Sequence, residues 1–345
     1  MIYMMNTNLI IGKINSFKTT KFMFNEVEKS INNGENLILL DNKNEYFKTF
    51  KEKLDTNGYN TLVLNLNDTT KSNSYNPLML PYSYYKNGEY DKAVELVSKM
   101  SSELFFTNNP NVDPFWGIAA ANYFTSLVLI LFREAKSDLE VNIGSVQILL
   151  SEGEIKNSDG NTLMAEYFDK LNALDSIYVT GSSIVYAPNE TRKSVISILS
   201  PKINSFCMRE QLLNNLCGNQ IDLSNIKDKT AIVIIGNEQL NDLSNILINQ
   251  AFNSNSKFTY YLDNFDDMPY LFEFSSMLNN KLKMFVSIRN LEQLTLKYDK
   301  FIADKFENIV DDFRDLKQIP IGNNDNYPVR KDVDVKYLSF KEIMK

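Results

Sequence analysis

Strands and helices alternate in this sequence, and that alternation limits the fold more than any other feature. An apolar stretch ending in glycine, Asn6–Gly12, is followed by a helical pattern over Thr19–Ile31. Strand patterns over Glu35–Asp41 and Tyr59–Leu66 then flank a helical pattern over Glu45–Gly58. The same rhythm returns later, with strand patterns at 229–236, 257–263 and 281–288 and a helical pattern at 239–252. Strands separated by helices of this length predict a mainly parallel sheet in an α/β fold.

A long helical block interrupts this rhythm. From about Glu89 to about Leu174 the apolar residues recur with helical spacing, and no strand pattern intervenes. A further helical pattern covers Thr191–Phe206. We therefore predict an inserted all-α domain at 89–179, and an α/β domain assembled from residues 1–88 and 180–345.

Composition excludes several classes of protein. Hydrophobic residues make up 43% of the chain, which is enough for a sizeable core, and the net charge of −7 argues against a simple basic DNA-binding module. A basic lining inside an assembled ring stays open. The chain has two cysteines and no histidine, which excludes a zinc site built from His and Cys and any Ser-His or Cys-His nucleophile.

Cysteine usage and hydropathy also bear on location. Few cysteines and no signal-peptide pattern favour a cytoplasmic protein. The longest near-continuous apolar run, Tyr123–Phe132, falls short of the ~20 residues that span a bilayer. We interpret it as a buried helix.

A possible phosphate-binding loop follows the first strand. The pattern G-x-x-x-x-G-K-[ST] cradles phosphates with backbone N–H groups, while its lysine neutralises phosphate charge and its hydroxyl binds magnesium. Here GKINSFKTT places Gly12, Lys18 and Thr19 in register, but Phe17 replaces the second glycine. A benzyl group at this position either leaves the loop or fills the phosphate site, and we expect it to crowd the cradle. A chance match is the alternative, since Lys and Thr are common in this chain.

A second acidic element completes such a site in nucleotide hydrolases. An apolar strand ending in aspartate holds magnesium, and a glutamate after it often activates the attacking water. In YYLDNFDD, Asp263 ends the strand, but Asn264 follows it and cannot act as a base. Asp266 and Asp267 lie in the outgoing turn, where a solvated acidic turn is the simpler interpretation. Because ligands bind at the carboxyl ends of parallel strands, we expect Gly12, Lys18 and Asp263 to lie close together.

Several further motifs occur in a fixed order between and after these elements. They are LLDNKNEYFKTF with Asp41, Lys43 and Glu45, GYNTLVLNL at Gly58–Leu66, SNSYNPL at Ser72–Leu78, DPFW at Asp113–Trp116, NETRKSVISIL, LDNF, and RNLEQLTLKYD at Arg289–Asp299. Taken in order, they resemble the coupling proteins of type IV secretion and conjugation, the TraG/VirD type. The resemblance covers residues 6–313 and implies a RecA-like P-loop NTPase-type fold with an inserted all-α domain.

The resemblance also implies a nucleotide site and shows where this chain departs from it. The site would comprise Gly12, Phe17, Lys18, Thr19, Asp263, Asn264 and Arg289, with Thr19 and Asp263 holding the metal. Phe17 and Asn264 replace a glycine and a glutamate, and Arg289 stands where the family usually has a nucleotide-sensing glutamine. We therefore expect a vestigial site with no catalytic residues and no bound cofactor, although ATP and Mg²⁺ are implied if the site works. A further expected departure is the lack of an N-terminal membrane anchor.

Three functions follow as hypotheses. The first is a degenerate, ATPase-inactive coupling-protein-like subunit that serves as a scaffold or adaptor. The second is an active ATP-driven translocation motor of the same family, and the third is a soluble module that binds substrate through its helical domain. The resemblance implies several partners: the type IV secretion machinery or an active paralogue, DNA or a relaxase-type protein, and further copies of the same chain. It implies a location in the cytoplasm or at the inner face of the membrane.

Overall fold

The computed structural model describes residues 7–106 and 111–345, and these form two compact units. The first unit comprises the chain up to Asn73 together with Leu223–Arg330. The second comprises Ser74–Asp222 together with Lys331–Lys345. The predicted first residue of the opening strand, Asn6, lies outside the described residues.

The first unit is built on a parallel sheet, which has seven strands in the described part of the chain. The strands are β1 Thr7–Ile11, β2 Leu37–Leu40, β3 Asn60–Asn65, β4 Thr230–Ile235, β5 Thr259–Leu262, β6 Met284–Ile288 and β7 Asn308–Val310. Their order is β3-β4-β2-β5-β6-β1-β7, and every pairing is parallel. The predicted mainly parallel sheet is therefore confirmed.

Helices cover this sheet because its central strands are apolar on both faces. The helices of the unit are α1 Phe24–Asn33, α2 Tyr46–Thr56, α11 Asn241–Asn253, α12 Phe274–Asn279 and α13 Leu291–Lys297. All four residues of β2 and all six of β4 are buried. On one face Leu39 and Val233 form a buried cluster with Phe24 and Phe47 of α1 and α2. Strands buried on both faces are typical of parallel sheets with helices on both sides.

The second unit is helical in its described residues. Its helices are α3 Met79–Lys86, α4 Tyr90–Phe105, α5 Pro114–Glu134, α6 Ile143–Gly153, α7 Leu163–Phe168, α8 Ser176–Val185, α9 Asn189–Cys207, α10 Glu210–Cys217 and α14 Phe340–Ile343. Helix α5 is its centre, with Tyr123–Phe132 entirely buried, as predicted.

Helix α5 is longer than the apolar run on which the sequence prediction relied. Among the described residues it is the one helix long and apolar enough, by length and composition, to cross a membrane. Of its apolar window, 72% is buried inside the protein. A helix in the core of a protein can have the same length and composition, and the burial of α5 agrees with its interpretation as a core helix.

The helical unit does not coincide with the predicted insertion at 89–179. It begins at Ser74 and includes α9 and α10, up to Asp222. The reason is packing: Val195, Leu199 and Ile203 of α9 are buried, and α9 packs on α5 and α6. The alternation of strands and helices resumes only at β4, so the sequence signal for returning to the α/β unit lies near residue 229, not 180.

Candidate functional site

The carboxyl ends of β1, β5 and β6 converge at one edge of the sheet, where the loop after β1 begins. The N–H of Gly12 donates to the carbonyl of Ile288, at the end of β6, over 3.0 Å. A β-carbon on Gly12 would lie 2.3 Å from Ser16 Oγ and 3.2 Å from Phe313 Cε2. Glycine is therefore required at this position by close packing.

The loop from Gly12 to Phe17 connects β1 to the first helical turn, and it lacks the second glycine of the phosphate-loop pattern. Phe17 adopts φ 62°, ψ 16°, in the left-handed region where glycine is the usual residue, and the chain then enters a π-helical turn, Lys18–Met23, that continues into α1. The Phe17 residue is 53% exposed. The exposure does not give the direction of the ring, so our expectation that Phe17 crowds the cradle stays a prediction.

Lys18 lies buried at the centre of the site, only 5% exposed. Its Nζ donates to the carbonyl oxygen of Gly12 over 3.3 Å and to Asn264 Oδ1 over 3.0 Å. Burial lowers the pKa of Lys18, while the nearby carboxylates of Asp263 and Asp266 oppose that shift. The ammonium group is thus held by neutral oxygens, with carboxylate charge close by.

Thr19 and Asp263 pair directly across the site. Thr19 Oγ1 donates to Asp263 Oδ2 over 2.9 Å, which leaves Asp263 Oδ1 to accept from Ser287 Oγ and, over 3.0 Å, from the N–H of Asn264. Ser287 belongs to β6, which separates β5 from β1 in the sheet. Sequence reasoning missed Ser287; its one signal was a hydroxyl inside the apolar strand MFVSI.

Asn264 has a local structural reason for its identity. Its backbone is left-handed, with φ 49°, and asparagine tolerates that region better than glutamate does. Its side chain is buried and accepts from Lys18, while its N–H bonds to the Ser287 hydroxyl over 3.0 Å. An amide here binds the lysine but offers no proton acceptor of useful basicity.

Arg289 follows β6 directly and is bound by the acidic turn after β5. Its backbone N–H and its Nε each donate to Asp266 Oδ2 over 3.1 Å, and Nη2 pairs with Asp267. The hydrogen bonds and charge of these two carboxylates raise the pKa of Arg289. The interpretation of Asp266 and Asp267 as a merely solvated acidic turn is therefore wrong for Asp266, whose side chain is buried and paired.

The loop after β2 adds two carboxylates, Asp41 and Glu45, from the motif LLDNKNEYFKTF. Asp41 accepts the N–H groups of Glu45 over 2.6 Å and Phe47 over 2.9 Å, and so caps α2. Burial, with a contribution from Asp263, raises the pKa of Asp41 to about 6. Burial also raises the pKa of Glu45, whose carboxylate interacts with the charges of Asp263 and Lys18.

The structure therefore brings together Gly12, Lys18 and Asp263, as predicted. Two buried hydroxyls in the same loop and helix turn, Ser16 Oγ and Thr20 Oγ1, have no hydrogen-bond partner within the described residues. An orphaned buried hydroxyl, a buried ammonium group and a Thr-Asp pair are what a bound phosphate with a magnesium ion would use. In the described part of the chain no group of three or more Cys, Asp or Glu residues is placed to hold a metal ion.

Two of the recognised motifs have structural explanations. Ser72 and Asn73 satisfy the outer edge of β3: Ser72 Oγ accepts the N–H of Asn65 over 3.0 Å, and Asn73 Oδ1 accepts the N–H of Val63 over 2.8 Å. Asp113 caps α5 by accepting the N–H of Phe115 over 2.9 Å, and a proline follows it at the first helical position.

Comparisons with known proteins agree with this arrangement. The family model described as type IV secretory system conjugative DNA transfer matches residues 6–273. A search of proteins with curated descriptions found no match.

Solved structures of coupling proteins share the fold. The bacterial conjugative coupling protein TrwBdeltaN70, in a trigonal form with sulphate, aligns with a TM-score of 0.61 at 10% identity, over 89% of this chain and 70% of that one. Plasmid coupling protein TrwB in complex with ADP and Mg²⁺ aligns at 0.59 and 9%, over 89% and 70%. The same protein with the non-hydrolysable ATP analogue ADPNP aligns at 0.57 and 10%, over 88% and 69%. At these identities the likeness shows the fold: a RecA-like α/β unit with a helical domain.

Proposed function

The chain belongs to the type IV secretory system conjugative DNA transfer family, and we propose that it is a coupling-protein subunit that binds a nucleotide with Mg²⁺ but does not hydrolyse it appreciably. The observation that carries this proposal is the position and local environment of Asn264. It occupies the position of the water-activating glutamate, its amide accepts from Lys18, and its left-handed backbone disfavours a glutamate. Loss of a general base removes ~10²–10⁴-fold in rate.

We propose that nucleotide binding is retained because the residues that would contact the phosphates and the metal are present. Lys18 would neutralise phosphate charge, and Thr19 with Asp263, which now share a hydrogen bond, would hold the metal. Bound Mg²⁺ supplies positive charge that offsets the phosphates. Phe17 is half-exposed and adopts the left-handed backbone that a glycine would supply, so we propose that the replacement of this glycine does not by itself abolish binding.

The nucleotide class and the partners are proposed by analogy. TrwB has been solved with ADP and Mg²⁺ and with an ATP analogue, so an adenine nucleotide is the first ligand to test. We propose that the chain acts as a scaffold or adaptor with type IV secretion machinery and transferred DNA or a relaxase-type protein. Association with an active paralogue or with its own copies would complete the assembly. The proposed location is the cytoplasm, extending to the inner face of the membrane.

The test separates binding from turnover. Binding of a fluorescent ATP analogue with Mg²⁺ is measured by anisotropy, and phosphate release is followed in the steady state. Wild type should bind nucleotide, Lys18→Ala should lose at least ~10-fold in affinity, and neither should release phosphate above background. Robust turnover that disappears in Lys18→Ala would refute the non-hydrolysing assignment.

A working motor is the second candidate, and one observation favours it. The Glu45 carboxylate is half-buried just before α2, in the loop that follows β2, and interacts with Asp263 and Lys18. A carboxylate with a raised pKa is a suitable general base. If wild type turns over, Glu45→Gln should lower the rate by ~10²-fold or more without weakening nucleotide binding, whereas Glu52→Gln, on the exposed side of α2, should not change it.

A further inference from the structure

A cavity of about 680 Å³ lies at the amino edge of the sheet, the edge opposite Lys18 and Asp263. Its lining residues include Asn36 just before β2, Phe258 just before β5 and Lys283 just before β6. Strand β5 pairs with both β2 and β6, so the cavity lies where three neighbouring parallel strands begin. Its volume is in the range of about 300–1,000 Å³ that is typical of sites for small molecules. We call it the amino-edge cavity.

Four apolar or aromatic residues contribute to the lining of the amino-edge cavity: Phe252 at the end of α11, Phe258, Tyr260 and Leu282. Phe258 is 7% exposed and Tyr260 is 2% exposed, and their rings meet edge to face with centroids 6.4 Å apart. Apolar walls with a few polar groups are typical of binding sites for small organic molecules. The lining therefore favours a ligand with an aromatic body.

The hydroxyl of Tyr260 has no hydrogen-bond partner within residues 7–106 and 111–345. Two other buried tyrosines of the same region do have partners. Tyr59 donates to the carbonyl of Glu35 over 2.8 Å, and Tyr261 donates to the carbonyl of Glu26 over 2.7 Å. The hydroxyl of a buried tyrosine usually finds a partner. Because Tyr260 lines the cavity, a ligand there with one hydrogen-bonding group would supply it.

Two of the three charged residues that line the cavity neutralise each other. Lys283 Nζ donates to both oxygens of Glu35, over 2.7 and 2.8 Å, and to Ser30 Oγ over 3.2 Å. These bonds use all three donors of an ammonium group. Lys257, the third charged residue, is exposed and has no ion-pair partner in the described part of the chain. The cavity therefore has an excess of one positive charge, which Lys257 contributes.

Asn36 holds the segment that carries Lys257 in place. Its Nδ2 donates to the carbonyl of Lys257 over 3.3 Å, and its Oδ1 accepts the N–H of Thr230 over 2.9 Å. Its own carbonyl accepts the N–H of Thr259 over 2.8 Å. The cavity wall is thus tied to the sheet, and a ligand that enters a preformed site loses less free energy to ordering the protein.

We propose that the amino-edge cavity binds a small aromatic anion. The ring system of the ligand packs against Phe258 and Tyr260, a hydrogen-bonding group meets the Tyr260 hydroxyl, and a carboxylate or sulfonate pairs with Lys257. The cavity and Lys18 lie at opposite edges of the sheet, so this binding is independent of the proposed nucleotide binding.

Two fluorescent probes with the same ring system test this ligand class: anilinonaphthalene sulfonate, which is anionic, and N-phenylnaphthylamine, which is uncharged. Each is titrated into the full chain, and both should bind wild type saturably. Lys257→Gln should weaken binding of the anion ~3-fold and leave binding of the uncharged probe unchanged. Lys71→Gln is the matched control, because the Lys71 side chain is 58% exposed after β3, and it should change neither affinity. Equal effects of Lys257→Gln on the two probes would refute the anionic class.

Tyr260→Phe should weaken binding of both probes ~5-fold, because it removes the partner of the amine that they share. It should not lower the midpoint of urea unfolding, since the hydroxyl has no partner within the described residues. Tyr261→Phe is the control on the other face of the same strand. It loses bonds to Glu26 and Ser30, so it should lower the midpoint and leave both affinities unchanged. A lowered midpoint with unchanged affinities in Tyr260→Phe would show that Tyr260 is structural and does not bind the ligand.

Leu282→Trp should weaken binding of both probes by ~10-fold or more, because the larger side chain occupies the cavity. Leu296→Trp, at a leucine that is 78% exposed on α13, is its control. Lys18→Ala should bind both probes as wild type does. Weaker binding in Lys18→Ala would place the probes at the nucleotide site and overturn the proposal. The absence of saturable binding by wild type would mean that only water fills the cavity, and would overturn it equally.

Discussion

Thr19 and Asp263 stand 244 positions apart in sequence, yet Thr19 Oγ1 donates to Asp263 Oδ2 over 2.9 Å. The sheet order brings them together, because β6 alone separates β1 from β5 and contributes Ser287 to the same carboxylate. A hydroxyl and a carboxylate so arranged are suited to holding a magnesium ion beside a phosphate. The pairing also stabilises the entry into α1 without any ligand.

We therefore expect Thr19→Val to affect nucleotide binding only when magnesium is present. Val keeps the shape of Thr but cannot donate to Asp263 or reach the metal. Affinity for a fluorescent nucleotide should fall ~10-fold with Mg²⁺ and be unchanged in excess chelator. Thr56→Val is the control, because Thr56 is exposed at the end of α2 and its hydroxyl donates to the carbonyl of Glu52 in the same helix. An equal loss with and without magnesium would assign Thr19 to phosphate binding or folding.

Phe17 should be a source of backbone strain that glycine relieves. A non-glycine residue in the left-handed region costs ~1–2 kcal/mol, and the half-exposed ring recovers part of that. Phe17→Gly should leave the free energy of unfolding unchanged or raised by up to ~1 kcal/mol, whereas Phe17→Val should lower it by ~1 kcal/mol or more. Urea unfolding measures both.

Ile14 provides the matched control for Phe17. It is 71% exposed in the same loop, but its φ is not positive. Ile14→Gly should therefore lower stability by roughly 0.5–1 kcal/mol. A similar loss in Phe17→Gly would show that the left-handed conformation at Phe17 stores no strain.

The scaffold of this protein could be predicted from sequence more fully than its site. The buried strands β2 and β4 could be predicted because each is a continuous run of almost entirely apolar residues. The meeting of Gly12, Lys18 and Asp263 could be predicted because the carboxyl ends of parallel strands lie at the same edge of a sheet. The left-handed backbone of Phe17 could not be predicted, because phenylalanine does not favour that region. Nor could the pairing of Arg289 with Asp266, which depends on the distance between two loops.

The predicted domain limits differ from those of the two compact units for a related reason. A helical pattern such as Thr191–Phe206 says that one face is buried but not against what. Helix α9 packs on α5 and α6, a choice set by tertiary contacts that periodicity does not encode. The turn at Ser72 and Asn73, where the chain passes from one unit to the next, was visible only as part of a motif.

Ser72 and Asn73 should prove structural rather than functional. They satisfy backbone groups of Val63 and Asn65 on the edge strand β3. Removal of such a partner leaves a buried donor unsatisfied, which costs ~1–3 kcal/mol. Ser72→Ala and Asn73→Ala should each lower the free energy of unfolding by about that amount and speed amide exchange in β3. Nucleotide affinity, extrapolated to fully folded protein, should be unchanged; a specific loss of affinity would place these residues in the site.

Asp41 should make stability depend on pH between about 4 and 6. An unfolded aspartate has a pKa of ~3.9, while burial and the charge of Asp263 raise the pKa of folded Asp41 to about 6. In that window the folded chain binds a proton that the unfolded chain has lost. Stability is therefore greatest below pH 4 as far as this group is concerned, and it falls as pH rises through 6, by up to about 3 kcal/mol.

Asp41→Asn keeps one oxygen to cap α2 but cannot titrate, so its free energy of unfolding should vary less over this window by about that amount. Asp325→Asn, at a carboxylate whose side chain is 73% exposed, should follow wild type. Chemical denaturation at pH 4, 5, 6 and 7 measures all three proteins. Parallel curves for wild type and Asp41→Asn would mean that the pKa of folded Asp41 is not raised above its value in the unfolded chain, because the backbone N–H groups that it accepts offset its burial.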